Sequence, residues 1–414
     1  MYIKEISETQ LNDFIKTYSD STLYQTSEYA SSMANQGFET ILVGLFKEDE
    51  IIGASVILVE KTLGFKYAYA PRGFMIDYTN EHVVKAFTKE IKKFLASQDI
   101  MAIKINPPIT RSIYDYQRKE KSHNLNYDDI FELLNKLDYY HLGYNDMFES
   151  LKPRFESILD INIPYDEVFL NFKKELKTKI KNAEEAGIKI YKSNASNLEY
   201  LYLQTKDKYP RDLEYFKDMY ANFDEHKEID FYYAKLNTHE YLNNIKKMYT
   251  EYEQLSYDMN QKIASGMKNR GKLVSRKIEI DKKLYNCKQE LAKATKISVD
   301  KPDGIILASA LIIKHKDNVH VIIDGYDEAY KQFNAKHLLI WRLIETYHKQ
   351  GFKTFNLGGM TNVEDKSKYT GLNEFKLGFR PLIYEYAGDF ELITNSTLYF
   401  MYRHAGPITS ILKK

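Results

Sequence analysis

Only one cysteine, Cys287, occurs in the 414 residues, which excludes an intramolecular disulfide and a multi-cysteine metal site and fits a reducing compartment. An excess of one charge is missing too. Lysine and arginine number 59 against 58 acids, a net charge of +1, so a polyanion must be met by a local patch. No apolar run approaches the roughly 18 residues that cross a bilayer. The opening Met1-Tyr2-Ile3-Lys4-Glu5 is charged and lacks the apolar core of a signal peptide, so a cytoplasmic location is expected. The ten histidines show no His-x-x-x-His spacing beside an acid. No metal and no cofactor are therefore expected.

What is present is an ordinary globular balance, 43% hydrophobic and 28% charged, in a chain long enough for two domains. An internal repeat organises it. A helical stretch near Leu11 leads into the strand-like segments 38–45, 51–59 and 66–70. An amphipathic helix over 83–96 and a buried-looking strand over 101–105 follow. Segments 229–236, 305–313 and 319–323, a helix over 337–349 and a strand over 354–357 repeat that order. Ala308-Ser309 echoes Ala54-Ser55 within a shared Ile-Ile-x-Ala-Ser pattern. Such an order describes a mixed α/β domain used twice.

The second copy carries an insert between its first two strands. Leu242, Ile245, Tyr249, Tyr252, Met259 and Ile263 recur in steps of three and four, interrupted once by Ser256. Leu273, Ile280, Leu284, Cys287, Leu291 and Ala294 do the same beyond a turn-like Ser265–Lys272 stretch. The pattern predicts an antiparallel coiled-coil hairpin with Cys287 as a buried structural thiol on its seam.

Several segments, in order along nearly the whole chain, resemble the Fem family of non-ribosomal peptidyltransferases. They are Tyr69-Ala70-Pro71-Arg72-Gly73 with Asp77, the lysine-rich block 174–183 before Gly187-Ile188-Lys189-Ile190, and Leu357-Gly358-Gly359 with Gly371–Phe379. The last, Tyr386–Phe390, looks like the strand that closes the family fold. The resemblance implies two acetyltransferase-like (GNAT-like) domains with the coiled-coil arm inserted in the second. The expected boundaries are 1–155 plus 388–414, 156–237 plus 303–387, and 238–302 for the arm. It also implies transfer of an amino acid from aminoacyl-tRNA to the stem or bridge peptide of a UDP-linked or lipid-linked muropeptide. Peripheral association with the inner membrane face and the oligomeric state stay open.

An aminoacyl ester is already activated, so no protein nucleophile is required. Attack by an amine creates a tetrahedral oxyanion that a fixed cation stabilises. The resemblance puts Lys376 in that role, with Phe375 beside the terminal adenosine. It aligns Arg211 and Tyr215 with residues that hold the phosphate and sugar of the precursor. A guanidinium grips two phosphate oxygens, and a phenol four residues on shares its helix face; a half-buried surface helix explains the same pair equally well. Arg72 and Asn106 are further substrate-binding candidates by the same resemblance.

Two departures stand out. The helix segment Tyr29-Ala30-Ser31-Ser32-Met33 lacks the lysine of relatives that act on nucleotide-linked precursors. Asn106-Pro107 replaces their Asp-Pro, and an amide cannot take up a proton as a carboxylate does. Either the acceptor amine then loses its proton to substrate or water, or the mechanism of this member is compromised. Lys177 and Lys181 in the basic 172–192 stretch, and Lys268 and Arg270 in the arm turn, are candidate RNA contacts. Two other readings remain. An acyl-CoA-dependent N-acyltransferase of the same fold would need a glycine-rich turn, which Lys331–Lys336 lacks. A non-catalytic scaffold would use the arm to bind a partner.

Overall fold

The computed structural model describes residues 1–208, 211–265, 269–362 and 369–404. The chain opens with β1 (Tyr2–Glu5), α1 (Glu8–Thr17), α2 (Ser27–Asn35), β2 (Glu39–Lys47), β3 (Glu50–Thr62) and β4 (Phe65–Ala70). A crossover helix, α3 (Glu81–Ser97), leads to β5 (Ile100–Ile105). Then come β6 (Thr110–Tyr114), β7 (Glu120–His123), α4 (Tyr127–Lys136), β8 (Tyr139–His141) and β9 (Phe155–Asp160). Helices α5 (Tyr165–Leu170) and α6 (Lys174–Glu185) precede β10 (Ile188–Ser193), α7 (Leu198–Thr205), α8 (Leu213–Asp224) and β11 (Ile229–Leu236). The insert is α9 (Thr238–Ala264) and α10 (Arg270–Asp300). Afterwards run β12 (Ile305–His315), β13 (Asn318–Tyr326), α11 (Ala335–Lys349) and β14 (Thr354–Met360). The chain closes with α12 (Thr370–Gly378), β15 (Leu382–Tyr386), β16 (Phe390–Ile393) and α13 (Ser396–His404).

These strands build two sheets, ordered β1-β2-β3-β4-β5-β16-β8 and β10-β11-β12-β13-β14-β9-β15-β6-β7. The repeat is longer than the sequence pattern announces. β1-α1-α2-β2-β3-β4-α3-β5 is matched throughout by β10-α7-α8-β11-β12-β13-α11-β14. Each copy ends in a parallel pair, β4 with β5 and β13 with β14, reached through a crossover helix. The Ala-Ser echo has a physical cause: Ser55 Oγ donates to Gln25 Oε1 (3.1 Å), and Ser309 Oγ donates to Gln204 Oε1 (2.6 Å). In both copies a glutamine from the helical segment closes against a buried serine of the second strand.

Apolar faces sort into layers. The first sheet packs α3 and α4 on one side, around Phe87, Ile91 and Ile130. The second packs α6 and α11 on its far side, around Ile180, Leu339 and Ile344. Between the sheets, α1 and α2 share one core with α7 and α8, through Leu11, Met33, Leu201 and Phe223. β5 is buried along its whole length, as a central parallel-paired strand should be.

Two expectations are corrected here. β6 and β7, from the stretch assigned to the first domain, lie at the edge of the second sheet, because β15 pairs with both β9 and β6. Tyr386–Phe390 is not one strand. It breaks between β15 and β16, which belong to different sheets, and Gly388 turns the chain at φ +90°, where glycine carries no Cβ penalty.

The insert is the expected helical hairpin. Ser256, Met259, Ile280, Cys287 and Ala294 are buried along its seam, and desolvation pushes the Cys287 thiol pKa up. Ser256 Oγ donates to Asp281 at 2.6 Å, and Lys277 pairs with the same carboxylate, a polar layer that fixes the register. Its base is not free-standing: Tyr241 and Ala294 belong to the core of the second sheet.

Candidate active site

The site is made by two strands that part. β13 and β14 pair only at Asn318↔Thr354, Val319↔Phe355 and His320↔Asn356. Beyond His320 they separate, and a cleft of about 1200 Å³ opens between residues 321–326 and 357–359. The bend begins in β14. Gly358 has φ +83°, and the pairing with β9 slips between Asn356 and Gly359. Asn356 Oδ1 accepts the Gly358 amide at 2.7 Å, occupying a donor that the ladder no longer uses. At Gly359 a Cβ would fall 2.5 Å from the Pro153 side chain, so close packing demands the second glycine.

Phe375 and Lys376 reach the cleft from α12. Lys376 is 5% exposed, and its Nζ donates to the Gly359 carbonyl oxygen. Burial pushes its pKa down to about 7; Asp324 on β13 opposes the shift, and Lys336 on α11 adds to it. Asp324 is itself ion-paired with Lys336. The Phe375 ring meets His337 edge-on at 5.1 Å, and the Lys336 ammonium lies 4.2 Å from its centroid. An aromatic plate and a buried lysine thus stand side by side on one wall.

At the other end the cleft is cationic and aromatic. Lys152 Nζ lies 3.4 Å from the Tyr24 centroid and 5.3 Å from that of Tyr29. Burial, reinforced by Arg72, pushes its pKa down to about 7. Arg211 is exposed and lies outside the residues that line the cleft, its guanidinium 5.0 Å from the Tyr215 centroid. Asp212 caps α8 by accepting the Tyr215 amide at 2.8 Å, which sets that ring in place. The Arg211 charge reaches both Lys152 and Tyr29. Sequence reasoning missed Lys152. The segment from 142 to 154 has no period, and its aromatic partners lie far upstream.

Arg72 and Asn106 are support rather than cleft wall. Arg72 is 4% exposed, ion-paired with Glu156 at 2.6 Å and stacked 4.1 Å from the Tyr386 centroid. Asn106 Oδ1 accepts the Arg72 amide at 2.7 Å, and Asn106 Nδ2 donates to Tyr69 OH at 2.9 Å. Both faces of the amide are used, which accounts for an amide at this position.

Among the lysines of α6, Lys179 lines the cleft. Lys177 and Lys181 are turned away from that wall: Lys177 Nζ donates to the Leu170 carbonyl at 3.0 Å, and Lys181 pairs with Glu185 at 3.8 Å. Arg270 begins α10, exposed and far along the arm. Lys268 lies outside the described residues. His320 lines the cleft floor, and burial pushes its pKa down to about 4, so it is neutral at physiological pH.

Chemically, the cleft joins an aromatic and lysine end, where an acyl group and a ring can be held, to a cationic end suited to phosphate. The chain is 25% identical to the lipid II:glycine glycyltransferase of Staphylococcus haemolyticus, over 97% of this chain and 95% of that protein. To the Staphylococcus aureus protein of the same name it is 23% identical over the same shares. The crystal structure of FemX superposes with a TM-score of 0.74 at 21% identity, covering 97% of this chain and 99% of that one, which shows a common fold. The FemAB family profile matches residues 6–406, and the chain belongs to the FemAB family.

Proposed function

We propose that this protein transfers an amino acid from aminoacyl-tRNA to the stem or bridge peptide of a lipid-linked peptidoglycan precursor. The observation that carries the reading is a buried lysine facing the cleft beside an aromatic plate, opposite a cationic end. The names of its relatives, lipid II:glycine glycyltransferases, supply the acceptor class.

In this reading the aminoacyl ester enters the gap between β13 and β14, with its terminal adenosine against Phe375. The acceptor amine attacks the ester carbon, a C–N bond forms, and the ester C–O bond breaks. The ribose oxygen leaves as a hydroxyl and takes a proton that the amine has released. Protonated Lys376 stabilises the intermediate oxyanion, worth about 2.7–4 kcal/mol for one such donor. Lys152 and Arg211 hold the precursor diphosphate, replacing the lysine that Tyr29–Met33 lacks. No helix among the described residues is long and apolar enough to cross a membrane, so a lipid-linked acceptor would be met at the bilayer surface.

The test offers the purified protein a mixture of charged tRNAs with lipid-linked or nucleotide-linked precursor and reads product mass. A muropeptide heavier by one residue, formed only with charged tRNA, is expected. Acylation from acyl-CoA, or no product from any pair, would overturn the reading.

A further inference from the structure

We infer that Glu156 is a positioning residue, the junction of a hydrogen-bonded relay that ties the first repeat to the lysine of the second. The inference rests on the transfer reading above. Each step of the relay is a short contact, and those among Tyr69, Asn106, Arg72, Glu156 and Asn356 join buried groups. Asn106 joins Tyr69 OH (2.9 Å) to the Arg72 amide (2.7 Å). Arg72 Nη2 donates to Glu156 Oε1 at 2.6 Å and to the Pro153 carbonyl at 2.7 Å. Asn356 Nδ2 donates to the other oxygen, Glu156 Oε2, at 2.7 Å. Asn356 Oδ1 in turn accepts the Gly358 amide (2.7 Å), and Ser157 Oγ donates to the Gly358 carbonyl (2.9 Å). The next carbonyl, Gly359, holds Lys376 Nζ.

Two features make Glu156 the junction. Its oxygens are divided, one facing the first repeat's loop and the other facing β14 at the point where the cleft opens. It is also the carboxylate among three cations: it neutralises Arg72 and opposes the lowering of both the Lys376 and Lys152 pKa values. Among the described residues, the charged groups facing Lys376 are Asp324 on β13, Lys336 on α11 and Glu156 on β9. Arg72 holds the Glu156 carboxyl below its ordinary range. With both oxygens occupied by donors, it is a poor proton acceptor. Its effect on transfer therefore runs through the position and charge of Lys376.

A glutamine at 156 offers one acceptor and one donor, so its amide meets an N–H of either Arg72 or Asn356 head-on. Moving the carboxylate one place along restores every contact. In Glu156→Gln with Asn356→Asp, the glutamine oxygen accepts from Arg72. Its amide donates to the carboxylate now at position 356, which still accepts from Gly358. The experiment compares wild type, E156Q and E156Q/N356D in steady-state transfer. A parallel measurement takes the pH dependence of Lys376 labelling by an amine-reactive anhydride, read by peptide mass. Expected is a fall in kcat of roughly a hundredfold for E156Q with little change in acceptor KM, since misplacement of a reacting group by about 1 Å has that effect. The Lys376 labelling midpoint should move to lower pH, and the double variant should return both kcat and midpoint close to wild type. Wild-type kcat and midpoint in E156Q, or a folded double variant no better than E156Q, would overturn the relay. If E156Q does not fold, recovery of fold and transfer in the double variant supports it, and failure of both variants to fold counts against it. If wild type transfers nothing from any donor, the transfer reading fails; the labelling midpoints then still decide the relay.

Discussion

The two repeats share an order of elements and even a Ser–Gln contact, yet only one opens. β4 and β5 stay paired to their ends, Tyr69↔Lys104 and Ala70↔Ile105. β13 and β14 part after three pairs. The difference traces to a few residues. β5 runs Ile103-Lys104-Ile105 in regular extension, whereas β14 reaches Gly358 and Gly359 and bends. Beyond β5, Asn106 fills the equivalent place and ties itself to Arg72 and Tyr69. A duplicated scaffold thus keeps one copy closed and opens a cleft, the candidate site, in the other. Each copy also buries a lysine, and the two are buried differently. Lys104 forms an ion pair with Asp389 at 2.8 Å, while Lys376 is held by a backbone carbonyl.

That contrast is open to attack by mutation. The largest expected effect on folding is in the closed repeat. Lys104→Met leaves the buried Asp389 carboxylate without its countercharge, held only by the Ser150 hydroxyl among the described residues, and should lower stability by about 3–5 kcal/mol, read from denaturant unfolding. An effect under about 1 kcal/mol would show that the pair does not hold the closed copy together.

In the open repeat, bending should depend on glycine. Gly358→Ala places a Cβ at φ +83°, where space is ordinary but the backbone is strained, with a penalty of about 1–3 kcal/mol. Transfer should fall with it, because the Lys376 anchor is the neighbouring carbonyl. Full activity in Gly358→Ala would mean that another residue sets the bend.

At the cationic end, Arg211→Ala and Lys152→Met should each weaken the muropeptide acceptor by about 1.5–3 kcal/mol, since hydrogen bonds to charged groups are lost. The affinity for charged tRNA should hold. Acceptor titrations at saturating tRNA read this directly, and an unchanged half-saturation for both variants would remove the phosphate role. Lys152 adds a pH dependence. With its pKa near 7, the lysine loses its proton as pH rises through that value, so acceptor binding should weaken above pH 7. Lys152→Met should flatten that decline.

The smallest expected effect concerns the arm. Removing residues 238–302 would take Tyr241 and Ala294 out of a core. Excising 249–288 leaves both, and should keep the fold while weakening tRNA binding and its salt dependence. Equal tRNA affinity at every salt would exclude an RNA role for the distal arm.

Much of the architecture was legible in sequence, and its gaps are physical. The strand over 229–236 and the arm seam were readable because local periodicity reports burial directly. β1 escaped the repeat because a four-residue edge strand carries no pattern, and the helix near Leu11 was read in the first copy without its counterpart in the second. Lys376 was found through its signature. The partner that fixes Arg72 was not, since Glu156 lies 84 residues further along the chain and its own partner Asn356 another 200 beyond that. Long-range polar pairing leaves no period to detect. The sign of the Lys376 pKa shift was likewise invisible, because it depends on burial among groups far apart in sequence, Glu156, Asp324 and Lys336.

The most direct test is Lys376→Met, followed by transfer and by stability against pH. Between about pH 7 and the ordinary lysine value of 10.5, the unfolded chain binds a proton that native Lys376 lacks, so wild-type stability should rise with pH there. The methionine variant should fold at least as well as wild type at pH 7, lose part of that rise, and transfer about 10²–10³-fold more slowly. Wild-type turnover in a folded Lys376→Met protein would contradict a catalytic lysine in the open repeat.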